Sequence, residues 1–171
     1  EATKEMLDKE NYDALIIAIG AEPVIPNLPG IDKPHVHWAP KADLGEIEVG
    51  EKTVIVGAGA VGIECAINLK QKGKDVTVIE MAPELNALMA ASRALYMEYM
   101  NLIEGHQIPV HLNCKLEEVT DKSVICSNMN LSGRIEFPAD TVLLALGMTS
   151  REDVAFALRR SAPETEVFVV G

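Results

Sequence analysis

A chain of 171 residues, 48% hydrophobic and 24% charged, is long enough for one domain with a real core, and excludes both a disordered segment and a fibre. Its 26 acidic against 15 basic residues leave a net charge of −11, which repels phosphate backbones and anionic lipid and argues against nucleic acid and membrane partners. Apolar runs such as ALIIAIGA and TVLLALGM are too short to span a bilayer, and three cysteines without a CxxC pair (Cys65, Cys114, Cys126) point to a reducing, cytoplasmic setting.

The opening ATKEMLDKENY reads as a short polar helix. DALIIAIG (13–20) is a continuous apolar run closed by Gly20, the pattern of a strand buried on both faces. AEPVIPNLPGIDKP is expected to be an ordered, extended connector, since proline fixes φ and removes a donor. HVHWAPKADLGEIEVG adds a short strand and a turn of helix.

From Lys52 the pattern is regular. KTVIVG predicts a strand, 60–72 a helix capped by Gly73, and 75–80 a second strand. A long helix is expected from about Asn86 to Glu104, with Leu88, Leu95, Tyr99 and Leu102 on one stripe. QIPVHLN supplies a third strand, and this alternation implies parallel pairing with right-handed crossovers. KLEEVT, SVICSN and GRIEFP read as an antiparallel meander. DTVLLALG (140–147) returns as a buried strand, REDVAFALRR as a helix and EVFVVG as a last strand.

Residues 53–70, TVIVGAGAVGIECAINLK, carry the chemistry. Gly57 permits a tight turn, Gly59 lets backbone approach a pyrophosphate, and Gly62 lets the helix pack against the strand. The turn Gly57-Ala58-Gly59-Ala60-Val61-Gly62 then offers helix N-terminal amides to the phosphates. Glu80 ends the next strand, where a carboxylate accepts hydrogen bonds from ribose hydroxyls. Met81, Ala82 and Pro83 follow, with no arginine to meet a 2′-phosphate, so NAD(H) is expected rather than its phosphorylated form. Gly147 and Met148 close the return strand, where ligands of open α/β sheets lie, and Met148 is expected against the nicotinamide half. The fold class expected is α/β: a Rossmann-like parallel sheet with helices on both faces plus a three-stranded antiparallel meander.

With these motifs in hand, the sequence resembles the pyridine-nucleotide domain of the two-dinucleotide flavoprotein reductases, the group that includes glutathione reductase. AIGAEPVIPNLPGI is similar to the segment leaving the FAD domain, VIVGAGAVGIE to the NAD fingerprint, LLALGM to the return strand, and VFVVG to the segment re-entering the FAD domain. Ile19 and Ser150 depart from the usual Thr and Pro. The resemblance implies three regions: 1–49 a remnant of the FAD domain with its linker, 50–150 the NAD(H)-binding domain, and 151–171 a truncated crossover back. It also implies that Gly20 and Ala21 face flavin, and that Glu64 lies near the nicotinamide–flavin contact. The wording of EMAPELNALM looks most like old-yellow-enzyme-type reductases of the 2-enoate and 2,4-dienoyl-CoA group. In such a parent NADH would reduce FAD, and electrons would pass by an iron–sulfur cluster to FMN.

Glu64 has a plainer reading beside this, an acid favoured by the helix dipole. Cys65 reads as a buried small side chain. His35 and His37 alternate on one strand face but lack a third ligand, and no metal is expected. His106 and His111 read as fillers. No catalytic residue is assigned, since no proton-handling pair stands out for a direct dehydrogenase. A hydride-donor platform for a flavoprotein is the expected function. The alternative is a stand-alone NAD(H)-binding or redox-sensing module without catalysis. The partners expected are NADH and the rest of the FAD domain. The strands ALIIAI and VFVV, exposed without that domain, are expected to pair with each other or to form a dimer seam.

Overall fold

The computed structural model describes residues 3–9, 12–85, 92–130, 133–162 and 165–170. In chain order its elements begin α1 (Lys4–Lys9), β1 (Ala14–Ile17), β2 (Ala21–Pro23), β3 (Val36–Trp38), α2 (Pro40–Asp43), β4 (Lys52–Val56), α3 (Ala60–Gln71) and β5 (Asp75–Ile79). They continue α4 (Arg93–Gly105), β6 (Val110–His111), β7 (Cys114–Val119), β8 (Ser123–Asn128), β9 (Arg134–Pro138), β10 (Thr141–Leu144), β11 (Met148–Ser150), α5 (Glu152–Arg160) and β12 (Glu166–Val169). The chain divides into two compact units, Ile25–Gly147 and a smaller one of Glu1–Val24 with Met148–Gly171. Residues 25–49 group with the sheet, β3 pairing with β10, while the boundaries expected from sequence lay at 49/50 and 150/151.

The larger unit is built on a five-stranded sheet of order β3-β10-β4-β5-β6, parallel throughout. Side chains alternate along these strands, so each strand feeds two cores. Ile55, Val76, Val78 and Leu143 point to one side and meet Ala42 of α2, Ile63, Ala66 and Leu69 of α3, and Ile103 of α4. Val54, Val56, Ile79, Val142 and Leu144 point to the other and meet Leu116, Val119, Val124 and Cys126 of the meander β7-β8-β9. A mixed α/β fold with a parallel sheet and a meander is thus present. The meander, rather than a second helical layer, covers the sheet's other face. Ile55, Leu143 and Val142 are fully buried, and each such side chain contributes about 1.5–3 kcal/mol from removal of apolar surface from water.

Helix ends follow local chemistry. Pro40 opens α2, where its missing N–H costs nothing. Gly73, at φ +83°, ends α3: its N–H donates to Lys70 O at 3.0 Å and that of Lys74 to Leu69 O at 3.1 Å. This is the left-handed cap that glycine favours. The helix expected from Asn86 starts at Arg93 with Ser92 as cap; 86–91, Leu88 included, lie outside the described residues. Its stripe also differs. Leu95 is exposed, while Tyr96, Tyr99, Met100 and Leu102 pack beside buried Ile103.

In the smaller unit, β1 pairs in parallel with β12, Ala14 opposite Glu166 and Ile17 opposite Val169. The two apolar segments therefore lie side by side, as one of the two arrangements expected for them. They are not buried on both faces: Ile17 is buried, but Ile16 is 67% and Phe168 47% exposed. A two-stranded ribbon has too few neighbours to cover both of its faces. β2 and β11 pair antiparallel within the same unit. Among the described residues no helix is long and apolar enough to cross a membrane.

Candidate functional site

The turn from β4 to α3 crosses the ends of β5 and β10. Gly57 N–H donates to Ile79 O at 2.9 Å, and Ala145 N–H to Val56 O at 2.8 Å. Gly57 has φ +105°, and a Cβ there would lie 2.5 Å from Ala145 O. A Cβ on Gly62 would run into Gly57 O and lie 3.2 Å from Ala145 Cβ. These two glycines are required by the protein itself.

Gly59 is different. It is the N-cap of α3 with φ −72° and ψ 179°, a conformation any residue adopts, and a Cβ there would meet nothing within 4 Å. The fold gives no reason for glycine at this position. The backbone there is bare toward open space, and no side chain caps the first turn of α3, whose amides begin at Ala60 and Val61.

Glu80 lies one residue past β5. Its Oε2 accepts from Ala58 N–H at 2.8 Å and its Oε1 from Ala82 N–H at 2.8 Å. Its own backbone is pinned too: Glu80 N–H donates to His111 O and Glu80 O accepts from Cys114 N–H. The carboxylate thus clamps the glycine turn to the end of β5. Each oxygen has a second lone-pair site left for a ligand hydroxyl. Beneath this clamp lies a cleft of about 150 Å³, lined by Val56, Gly57, Ile79, Glu80, Met81 and Leu146, with Pro26, Leu28 and Cys114–Leu116 opposite. Pockets for whole small ligands are about 300–1,000 Å³, so this cleft by itself takes only part of a ligand.

Of the residues singled out in sequence, Gly57, Ala58, Gly59, Ala60, Val61, Gly62, Glu80 and Met81 gather around this turn and cleft. Gly147, at φ +86°, follows Leu146 and ends the larger unit. Met148, Gly20 and Ala21 belong to the smaller unit, where Met148 opposes Pro23 and Ala21 opposes Ser150. Gly20 there lines a cleft of about 330 Å³ with Arg151, Phe156 and Arg159. Arg151 Nε lies 3.0 Å from Glu22 Oε1, a charge pair not aligned as a hydrogen bond. Pro26, Leu28, Lys115 and Leu116 were missed, because only pairing of distant segments brings them to the cleft. Leu146 was missed as well, although its place beside Gly147 at a strand's carboxyl end is a signal that could have found it.

Glu64 sits in the second turn of α3, which weakens the dipole reading. Its Oε1 accepts a short hydrogen bond from the Tyr99 hydroxyl on α4. That bond, ahead of burial and the carboxylate's charge, raises the Tyr99 pKa above the ordinary 10.0. A phenol raised in the folded state contributes stability below its unfolded pKa and loses it as pH rises through the folded value. An alkaline ultraviolet titration should therefore show one late-titrating phenol, absent from Tyr99→Phe. Loss of only an ordinary phenol in that variant would remove the tie.

Cys65 is fully buried with Sγ 3.9 Å from Ala39 O, and burial pushes its pKa up to about 12, which suits a core filler. Burial likewise raises Cys114 and Cys126. Burial first, then the Lys41 charge, lowers His37. Among the described residues no three His, Cys, Asp or Glu side chains gather as a metal site.

The pattern described as pyridine nucleotide-disulphide oxidoreductase matches residues 2–167. The chain is 29% identical to the cinnamate reductase of Clostridium sporogenes over 167 residues, 97% of this chain and 24% of that protein. It is 36% identical to an NADH oxidase of Methanocaldococcus jannaschii over 157 residues, 85% of this chain and 33% of that protein. A solved 2-naphthoyl-CoA reductase, in complex with 2-naphthoyl-CoA, superposes with a TM-score of 0.85 at 27% identity, over 100% of this chain and 25% of that one. The chain thus spans about a quarter to a third of the length of these relatives.

Proposed function

We propose, since the chain belongs to the pyridine nucleotide-disulphide oxidoreductase family, that it binds NADH and presents it to FAD within a longer flavin-dependent oxidoreductase. The observation that carries this reading is Gly59, a glycine that no protein neighbour requires, at an uncapped helix N-terminus beside an acid-rimmed cleft. Gly59 and the first amides of α3 would hold the pyrophosphate. Glu80 would accept from the adenosine ribose hydroxyls and disfavour a 2′-phosphate. Glu64, steadied by Tyr99, would face the nicotinamide end. The bound nicotinamide supplies a hydride. The chain's own work is to hold and orient it.

FAD fits less well here, because Gly20 and Ala21 offer only a short piece of backbone to it. The three cysteines are core fillers and offer no ligand set for a cluster. Flavin and any cluster or FMN are therefore assigned to the remainder of the longer protein. The exposed face of β1 and β12, with Ile16 and Phe168, suits burial against that remainder or a second copy. The reductase names of two relatives support an old-yellow-enzyme-type parent acting on an enoate or dienoyl substrate. Three free thiols favour a cytoplasmic setting.

Fluorescence titration of NADH into the chain tests the reading. Saturable binding is expected, with no flavin absorbance retained through gel filtration and no dye reduction. Absence of NADH binding overturns the proposal, and steady dye reduction without added flavin replaces it with a direct dehydrogenase.

A further inference from the structure

Among the described residues lining the cleft beside Glu80, Lys115 alone carries a positive charge. Residues 81–84, which follow Glu80 in the chain, carry none. A specific backbone path brings Lys115 there. Asn113 N–H donates to Ala82 O at 3.0 Å and Cys114 N–H to Glu80 O at 2.8 Å, so β7 starts from the end of β5. The Lys115 side chain is 51% exposed, and its ammonium lies 3.3 Å from Glu117 Oε1, two residues along the same face of β7. Glu117 has a second partner, the Ser127 hydroxyl at 2.8 Å. An exposed pair of this kind is weak, and the ammonium is free to exchange Glu117 for a better anion. Glu80 is also a milder repellent than a free carboxylate, because backbone N–H groups already draw on both of its oxygens.

We propose that Lys115 sets the selectivity of this site at the cofactor's 2′-position, its ammonium pairing with a 2′-phosphate on the adenosine ribose. It thereby narrows the preference for NADH that Glu80 imposes. The inference rests on the reading that the adenosine half lies in this cleft. A neutral 2′-hydroxyl gains little from an ammonium, whereas a phosphate gains a charge-assisted bond. Lysine suits the task because its flexible stem can follow the phosphate as a point charge. Glu117 is the competitor that keeps this gain modest.

Calorimetric titration of NADH and NADPH into wild type, Lys115→Gln and Glu117→Gln tests it, with thermal melts to show that each variant is folded. The ratio of the NADPH to the NADH dissociation constant is expected to rise about tenfold in Lys115→Gln. It is expected to fall about threefold in Glu117→Gln, which frees the ammonium. A ratio in Lys115→Gln equal to that of wild type overturns the role of Lys115 while leaving the dinucleotide site standing. Failure of wild type to bind either nucleotide overturns the site and this inference together.

Discussion

Gly62→Ala is expected to lose about 3 kcal/mol of stability, because a Cβ at this position overpacks against backbone. Its new Cβ would run into the Gly57 carbonyl oxygen, with Gly57 C at 3.1 Å and Ala145 Cβ at 3.2 Å. Neither neighbour can give. Gly57 is tied to Ile79 and held at φ +105°, and Ala145 is tied to Val56. Relief would require α3 to move off a sheet it covers with Ile63, Ala66 and Leu69. Gly59→Ala is the informative counterpart. With open space around the new Cβ, it should cost no more than about 1 kcal/mol, the penalty of alanine at an N-cap. Yet it should weaken NADH at least about tenfold, since the methyl group stands where phosphate must approach backbone. Urea unfolding and NADH titration on both variants separate the two roles. If Gly59→Ala binds NADH as wild type does, the phosphate is not held at this turn.

Glu80→Ala is expected to fail in two ways at once. Its carboxylate is the acceptor for both Ala58 and Ala82 N–H, each at 2.8 Å. Hydrogen bonds to a charged group are worth about 1.5–3 kcal/mol each, and partial access of water to the orphaned amides brings the expected loss to about 2 kcal/mol. The glycine turn would lose its brace as well as the acceptor proposed for the ribose, so NADH affinity should fall about ten- to a hundredfold. The sequence suggested only a ligand-facing carboxylate, and the clamp adds a structural role to it. Glu80→Gln keeps the size and one acceptor oxygen, and should fall between alanine and wild type in urea. A folded Glu80→Ala protein with unchanged NADH affinity would leave Glu80 as a brace alone.

Much of this arrangement was legible because it is written in short-range pattern. The runs at 54–56 and 142–144 are apolar on every residue, as strands between two cores must be, and they became the buried parts of β4 and β10. The spacing of Gly57, Gly59 and Gly62 announced a turn into a helix, and Gly73 announced that helix's end. The meander was readable from its turn signals. Other features were not readable, because they depend on which distant segments meet. Nothing around Leu95 says that it will stay exposed while Tyr96 packs on the core, and nothing around Glu64 says that Tyr99, 35 residues on, will reach it.

The linear order of residues settled the fold class, the glycine turn and the acid that follows the second strand, since each is an interaction among neighbours in the chain. Tertiary structure settled which glycine is there for the protein and which is not. Gly62 faces a carbonyl across the turn and Gly59 faces open space, though the two look alike as letters. It also decided that Glu80 is already engaged by two amides, and that a lysine from β7 stands at the rim of its cleft. Steric fit and electrostatic pairing act over ångströms in space. A residue 35 positions away along the chain becomes a neighbour only after the sheet has formed.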